Sequence, residues 1–493
     1  MASMYHSTRS TVKECSAKRA VLDGLAPDGG LYVTDALGNA QIDLARVVGQ
    51  TYAENAALIL GTLLDDYTAD EIADCVKAAY GETFASDAVT PVVPVGDDYI
   101  LELFHGPTSA FKDVALQMLP QLMSRAAAQT SERIMILAAT SGDTGKAALA
   151  GFADTPGLGI TVFYPHGGTS EIQRLQMVTQ AGDNVAVGAV RGNFDDTQSA
   201  VKRIFADEAL AERLREQGVV LSSANSINVG RLAPQVVYYF DAYAQLVRNG
   251  NVTCGDKIDF CVPTGNFGDV LAGYFAMRMG LPVRKLIVAS NENNVLTDFL
   301  TTGVYDRNRP FHKTISPSMD ILISSNLERL LYYMSDGDAA YVASLMADLA
   351  ETGRYEVKPE LLARIQEVFA CGFASDEEAR VAMKECYDEN GYVLDPHTAV
   401  AWHVSHNTPK AEGVARVVLS TASPYKFCRD VCAALGVAAD GSDFDCMRAL
   451  EAASNTAAPA ALAALENAVV RFEDVMEAAD MPAYVEGKCG DLL

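Results

Sequence analysis

The sequence predicts an α/β chain: a mostly parallel sheet flanked by helices, preceded by an N-terminal domain. Three observations carry this. Short apolar runs of strand length alternate with helical patterns from about residue 99 to 290, the mark of βαβ units. Two glycine-bearing runs, 140–145 and 263–269, fall where such strands end, and ligands of open α/β sheets collect beyond the carboxyl ends of the strands. The chain has 493 residues, 49% of them apolar, which is enough for two to four domains.

The elements follow in order. Residues 1–95 are assigned to the N-terminal domain. Within it, Gly24 to Tyr32 is a turn-rich loop holding Pro27, Asp28, Gly29 and Gly30. Helical patterns run over 41–61 and 69–80, and Val89 to Asp98, with Pro91 and Pro94, reads as a connector. Residues 96–430 form the core. Its strand candidates are Arg133 to Ala139, Gly159 to Tyr164, Asn184 to Val190, Val219 to Leu221, Lys257 to Val262 and Pro282 to Ala289. The helices between them start near Lys146, cover 170–180, continue to Leu214, span Arg231 to Arg248 and run up to Met279. Residues 330–390 read as mainly helical and acidic, Arg416 to Thr421 as a late strand, and 431–493 as a helical, partly Ala-rich tail.

Bulk properties exclude several classes. The net charge of −26 argues against nucleic acid and anionic membrane surfaces as partners. It also means that an anionic ligand must be held by local donors. No apolar run is long enough to cross a bilayer. The first residues lack the apolar stretch of a secretory signal, so a cytoplasmic location is expected. The ten cysteines form no Cys-x-x-Cys pair and read as free thiols, with no metal site.

Two segments carry the chemistry. Lys112 lies between Phe111 and the run Val114-Ala115-Leu116. Seen alone, a lysine beside an aspartate (Asp113) is a solvated surface residue; apolar flanks point to burial, which lowers a lysine's pKa and makes it a nucleophile and base. Gly265-Asn266-Phe267-Gly268-Asp269 follows a strand and opens a helix. Such a turn is either an ordinary connection or a nest of amides suited to a phosphate. It lacks the third glycine of a dinucleotide fingerprint. An amine able to form a Schiff base, together with a phosphate cradle, is what an enzyme needs to hold pyridoxal phosphate.

Other motifs carry less. Thr140 to Lys146 resembles a nucleotide P-loop only at Gly145-Lys146; Thr140 and Ala147 occupy positions that need Gly and Ser/Thr. The segment still suits a carboxylate or a second phosphate. His105 is either an acid–base group or a packing histidine. Asn225 to Arg231 places amides and a guanidinium at a helix start, or simply a helix cap and a surface arginine.

Taken together, residues 5–9, 24–32, 105–113, 141–145, 223–231, 263–269, 316–326 and 421–427 resemble the threonine synthases. Those are pyridoxal-phosphate enzymes of the tryptophan-synthase-β-like fold (fold type II), and the likeness is to the longer bacterial and fungal subgroup. The resemblance implies a catalytic core over 96–430 made of two α/β subdomains with pyridoxal 5'-phosphate between them. Lys112 would hold the cofactor aldehyde and carry most protons, and Gly265, Asn266, Phe267, Gly268 and Asp269 would bind its phosphate. Thr421 would lie by the pyridine nitrogen, where a hydroxyl does not hold that nitrogen protonated. Ser141, Asp143 and Thr144, with Asn228 and Arg231, would contact substrate. The implied reaction converts O-phospho-L-homoserine and water to L-threonine and phosphate, in a monomer or small homo-oligomer. Related alternatives are a phospholyase, a threonine or serine dehydratase, or a catalytically silent binding homologue. One departure stands out: a Gly-Arg/Lys-Ile-Ser run frequent in the family is His166-Gly167-Gly168-Thr169-Ser170 here, with Lys146, Arg174 and Arg231 as candidate replacements for the missing charge.

Overall fold

Each strand expected between 133 and 290 forms, within one residue at either end, in the computed structural model. That structure describes residues 4–10, 14–130, 132–140 and 142–493, the side chains of Asn39 and Asp195 excepted. In chain order the strands are β1 (Tyr5–Ser7), β2 (Tyr32–Thr34), β3 (Val92–Val95), β4 (Asp98–Glu102), β5 (Arg133–Ala139), β6 (Leu158–Pro165), β7 (Val185–Val190), β8 (Val219–Ser222), β9 (Ile258–Pro263), β10 (Val283–Ser290), β11 (Val304–Asp306), β12 (Arg354–Glu356), β13 (Phe369–Phe373), β14 (Arg416–Ser420) and β15 (Val475–Met476).

Two sheets dominate. The first has the order β13-β10-β9-β14-β4-β3 and the second β15-β7-β6-β5-β8. Every neighbouring pair in both is parallel except β3 with β4. β6, β7, β9 and β14 are buried along their whole length, as strands covered by helices on both faces must be. The helix Val229–Arg248 is buried on all sides, with Tyr238, Tyr239, Phe240 and Tyr243 wholly enclosed.

Expectations on secondary structure are corrected or refined at four places. Val89 to Asp98 is not a connector: β3 and β4 form an antiparallel hairpin there. Pro94 is tolerated because β3 is an edge strand, where a missing N–H costs no ladder bond. The stretch 330–390 is mainly helical as expected, with the short strands β12 and β13 between its helices, and β13 extends the first sheet beside β10. The tail is likewise interrupted by β15, which pairs with β7. In addition, the helix expected to run to Leu214 is two helices, Phe194–Ala206 and Glu208–Glu216, with the Asp207 side chain capping the second. Among the described residues no helix is long and apolar enough to cross a membrane.

The parallel register brings several strand ends together. β4 leads through residues 103–111 into the helix Lys112–Leu116. That segment is pinned to the end of β14 by two backbone bonds, Leu103 N–H to Ser420 O (2.9 Å) and Phe111 N–H to Thr421 O (2.8 Å). From the second sheet, β5 delivers the helix Asp143–Phe152, which packs on Lys112–Leu116 so closely that a Cβ on Gly151 would lie 1.8 Å from the Leu116 carbonyl oxygen. Gly151→Ala is therefore expected to lower the unfolding free energy by about 2 kcal/mol in urea denaturation, the cost of overpacking a fitted contact; a variant as stable as the parent contradicts this account of the helix contact.

Candidate active site

Lys112 opens its helix with only 7% of its surface exposed. Its Nζ donates to Ser318 Oγ at 3.2 Å, stands 3.6 Å from Asp143 Oδ2, and lies 4.8 Å from the centre of the Phe111 ring. Burial pulls the amine down to about 8; Asp143 opposes the shift, and the positive charges of Lys426 and Arg231 reinforce it. A far larger fraction of this amine is thus neutral, and able to act as nucleophile or accept a proton, near neutral pH than for a solvated lysine.

Asp143 is the hub. Lys426, 2% exposed, reaches its Oδ1 at 2.7 Å. Gln173 Nε2 donates to the same oxygen at 3.0 Å, and Ser318 Oγ lies 3.3 Å from Oδ2. Burial alone would raise this carboxyl; Lys426 and Lys112 outweigh it and hold it below the usual carboxylate range. Lys426 also donates to Thr108 O at 3.1 Å.

The turn after β9 faces this cluster. Ser318 joins the two: its hydroxyl accepts from Lys112, and a Cβ on Gly265 would lie 2.8 Å from its carbonyl oxygen. Only glycine permits that approach. Ser324 Oγ donates to Gly265 O at 2.8 Å, and Asn326 Nδ2 donates to Asn266 O at 3.1 Å. Phe267 is buried and left-handed (φ 63°), and it turns the chain into the helix Gly268–Arg278. The carbonyls of the turn are thereby held from behind. The N–H groups of Gly265, Asn266 and Phe267 have no acceptor among the described residues. Unpaired amides at a helix start form a nest for an anion. Asp269 braces that start: Tyr238 Oη donates to its Oδ1 at 2.6 Å and Tyr239 Oη at 2.9 Å, while Oδ2 has no partner. Burial lifts this carboxyl to about 6 against those two bonds.

Arg231 supplies further positive charge. It is 4% exposed, donates through Nη1 to Ala224 O at 3.0 Å, and has an unpartnered Nε. Burial brings the guanidinium down to about 10. A buried donor without a partner is costly, and an anionic ligand relieves the cost. These local donors counter the global charge of −26.

The remaining residues singled out from sequence fall as follows. Thr421 is buried immediately beyond β14. Thr144 is half-buried in the first turn of its helix. Asn228 caps the helix Val229–Arg248: its Oδ1 accepts from Gly230 N–H at 2.8 Å and its Nδ2 donates to Val21 O at 2.9 Å, so its amide is committed to the fold. Ser141 lies outside the described residues. His105 bonds Glu102 at 2.7 Å and stacks on Phe104. The stretch 166–168 is exposed and Ser170 caps the next helix. Of the candidate replacement charges, Arg174 pairs with Glu171 and Lys146 bonds Gln180, whereas no carboxylate pairs with Arg231 among the described residues. Ser318, Lys426, Gln173 and His397 were missed. The run 316–326 and the segment 421–427 contain two of them, but nothing local marks either as a partner of Lys112.

Comparison with known proteins agrees with the geometry. Residues 4–80 match the family model of the threonine synthase N terminus, 95–421 that of the pyridoxal-phosphate dependent enzymes, and 398–485 that of the threonine synthase C-terminal region. A threonine synthase of Pseudomonas aeruginosa is 40% identical over 426 residues, covering 86% of this chain and 88% of that protein. The human protein named Threonine synthase-like 1 is 41% identical over 432 residues, covering 85% of this chain; the chain spans 58% of that relative's length. The pyridoxal-phosphate-bound threonine synthase of Brucella melitensis superposes with a TM-score of 0.89 at 37% identity, covering 99% of this chain and 100% of that one. The yeast threonine synthase gives 0.88 at 34% identity, over 99% and 98%.

The lowered amine has a direct readout. In the cofactor-free chain, acylation of Lys112 by a small reagent, followed by peptide mass spectrometry, is expected to rise with pH through a midpoint near 8. The neutral form reacts, so labelling grows as pH increases past that value. A midpoint above about 10, that of an ordinary lysine, contradicts the assignment.

Proposed function

The chain belongs to the threonine synthase family of pyridoxal-phosphate-dependent enzymes, and we propose that it converts O-phospho-L-homoserine and water to L-threonine and phosphate. Pyridoxal 5'-phosphate is its cofactor. The observation that carries the proposal is the meeting at Ser318 of a buried amine brought down to about 8 and a turn of three unpaired N–H groups.

The residues present fit the cofactor. The N–H groups of Gly265, Asn266 and Phe267 suit its phosphate, with Gly268 and Asp269 forming the helix start behind them. Lys112 suits its aldehyde, and Thr421 stands at a strand end with a hydroxyl for the ring nitrogen. The chemistry it supplies when bound is an electron sink beside the substrate's α-carbon.

The protein's own groups then have distinct tasks. Lys112 Nζ takes the proton from Cα and returns protons at later stages, which its lowered affinity for a proton permits near neutral pH. Asp143 stays ionised between two lysines and stabilises the ammonium form of Lys112 while it carries a proton. Ser318 Oγ sits between amine and carboxylate and limits the amine's swing. Arg231 offers one unsatisfied donor, Nε, for the departing phosphate. Ser141, Asp143 and Thr144 are the proposed substrate contacts, and Asn228 orders the turn that leads into Arg231.

Two experiments test this. With O-phospho-L-homoserine, phosphate and L-threonine are expected in equal amounts, and Lys112→Ala is expected to reduce turnover at least about a thousandfold. Phosphate without threonine assigns a phospholyase instead, and full activity of the variant refutes the role of Lys112. Separately, Asp269→Ala removes the carboxylate acceptor of two buried tyrosine hydroxyls, leaving Tyr239 only the backbone carbonyl of residue 269 and Tyr238 only Gln235 Oε1 at 3.3 Å. It is expected to weaken cofactor binding about tenfold, equivalent to ~1.4 kcal/mol, while Asp269→Asn, which keeps an acceptor, weakens it less. Equal and unchanged cofactor affinity in both removes Asp269 from the cradle.

A further inference from the structure

His397 is 2% exposed and lies in the helix Pro396–Asn407, outside every segment that the sequence marked. Its Nε2 accepts the Ser318 N–H at 3.2 Å, so the ring proton sits on Nδ1, which faces Asp395 Oδ1 at 2.8 Å. Asp395 is itself buried; it caps the same helix and accepts from the Thr398 hydroxyl. The imidazole also meets the Phe427 ring edge-on at 5.0 Å, next to Lys426 in sequence. A continuous line of contacts therefore runs from Asp395 through His397 and Ser318 to Lys112 and Asp143.

We propose that His397 is a positioning residue for Lys112: by accepting the Ser318 N–H it fixes the turn whose hydroxyl receives the lysine amine. The proposal rests on the reading of Lys112 as the reactive amine. Ser318 belongs to a single three-residue turn, Pro317–Met319. A turn so short has few bonds of its own to hold it, and the Ser318 N–H is given to the ring nitrogen. With the acceptor gone, the hydroxyl loses its register and the ammonium form of Lys112 loses a charge-assisted hydrogen bond. The charged and titratable groups that face Lys112 are Asp143, Lys426, Arg231 and Asp269, each from a different element. None of them hydrogen-bonds or pairs with His397.

The test is the pH midpoint of Lys112 acylation in the cofactor-free full chain, which is independent of any substrate reaction; its failure is thus distinguishable from failure of the phosphohomoserine assay. His397→Gln carries an amide oxygen near the position of Nε2 and is expected to keep the parent midpoint within about 0.3 unit. His397→Asn reaches only the position of Nδ1, and His397→Leu accepts nothing; both are expected to fall by about one unit, the worth of one such bond. A merely packing histidine predicts the same midpoint in all three. Folded Leu and Asn variants with the parent midpoint, or Gln and Asn variants that behave alike, overturn the proposal. Should the Leu and Asn variants not fold, Ser318→Ala removes only the hydroxyl and is expected to show the same fall; an unchanged midpoint there overturns it equally.

Discussion

One carboxylate shared by two buried lysines is the constraint on which the site depends. Asp143 lies 2.7 Å from Lys426 and 3.6 Å from Lys112. Taking three charges out of water is unfavourable unless each is paired and hydrogen-bonded. The asymmetry of the two distances resolves the problem: Lys426 takes the short contact and the Thr108 carbonyl, leaving Lys112 with the longer one and a serine hydroxyl. The arrangement holds one lysine in a short ion pair and leaves the other, brought down to about 8, able to give up its proton. Lys426 in turn helps to push Lys112 down.

That arrangement exists because the two sheets present their carboxyl ends to a common space. Asp143 comes from the end of β5 in the second sheet. Lys112, the 265–269 turn and the segment 421–427 come from the ends of β4, β9 and β14 in the first. β14 lies between β4 and β9, so three adjacent strands deliver the amine, the anion nest and the Lys426 segment side by side. The placement of ligands at strand ends in open sheets is here a consequence of parallel register.

Much of this was legible in the sequence, for a physical reason. Buried parallel strands read as unbroken apolar runs, and the glycine turns after them announce close backbone approach. Lys112 and the 265–269 turn both carry local marks: apolar flanks in one case and glycine spacing in the other. What escaped notice depends on contacts across long stretches of chain. Ser318 meets Lys112 from 206 positions away, and Lys426 meets Thr108 from 318; no window of sequence holds both partners. β3 and β13 escaped because edge strands are short and tolerate proline or helix-like composition. Arg231, with surface exposure as one reading, is buried, since an arginine among helix-start amides carries no sign of which way it points. The negative net charge was a true property of the surface and a poor guide to the site, which is locally cationic.

Two lysines near this space, Lys112 and Lys146, are brought down to about 8 by burial. Of the two only Lys112 meets Ser318 and Asp143, while Lys146 bonds Gln180, and the central claim is therefore that Lys112 is the one expected to hold the cofactor. Borohydride reduction of the chain loaded with pyridoxal phosphate, followed by peptide mapping, tests it most directly. The expected result is a phosphopyridoxyl group on Lys112 and on neither Lys426 nor Lys146. Label on either of those two in place of Lys112 would contradict the division of labour set by Asp143.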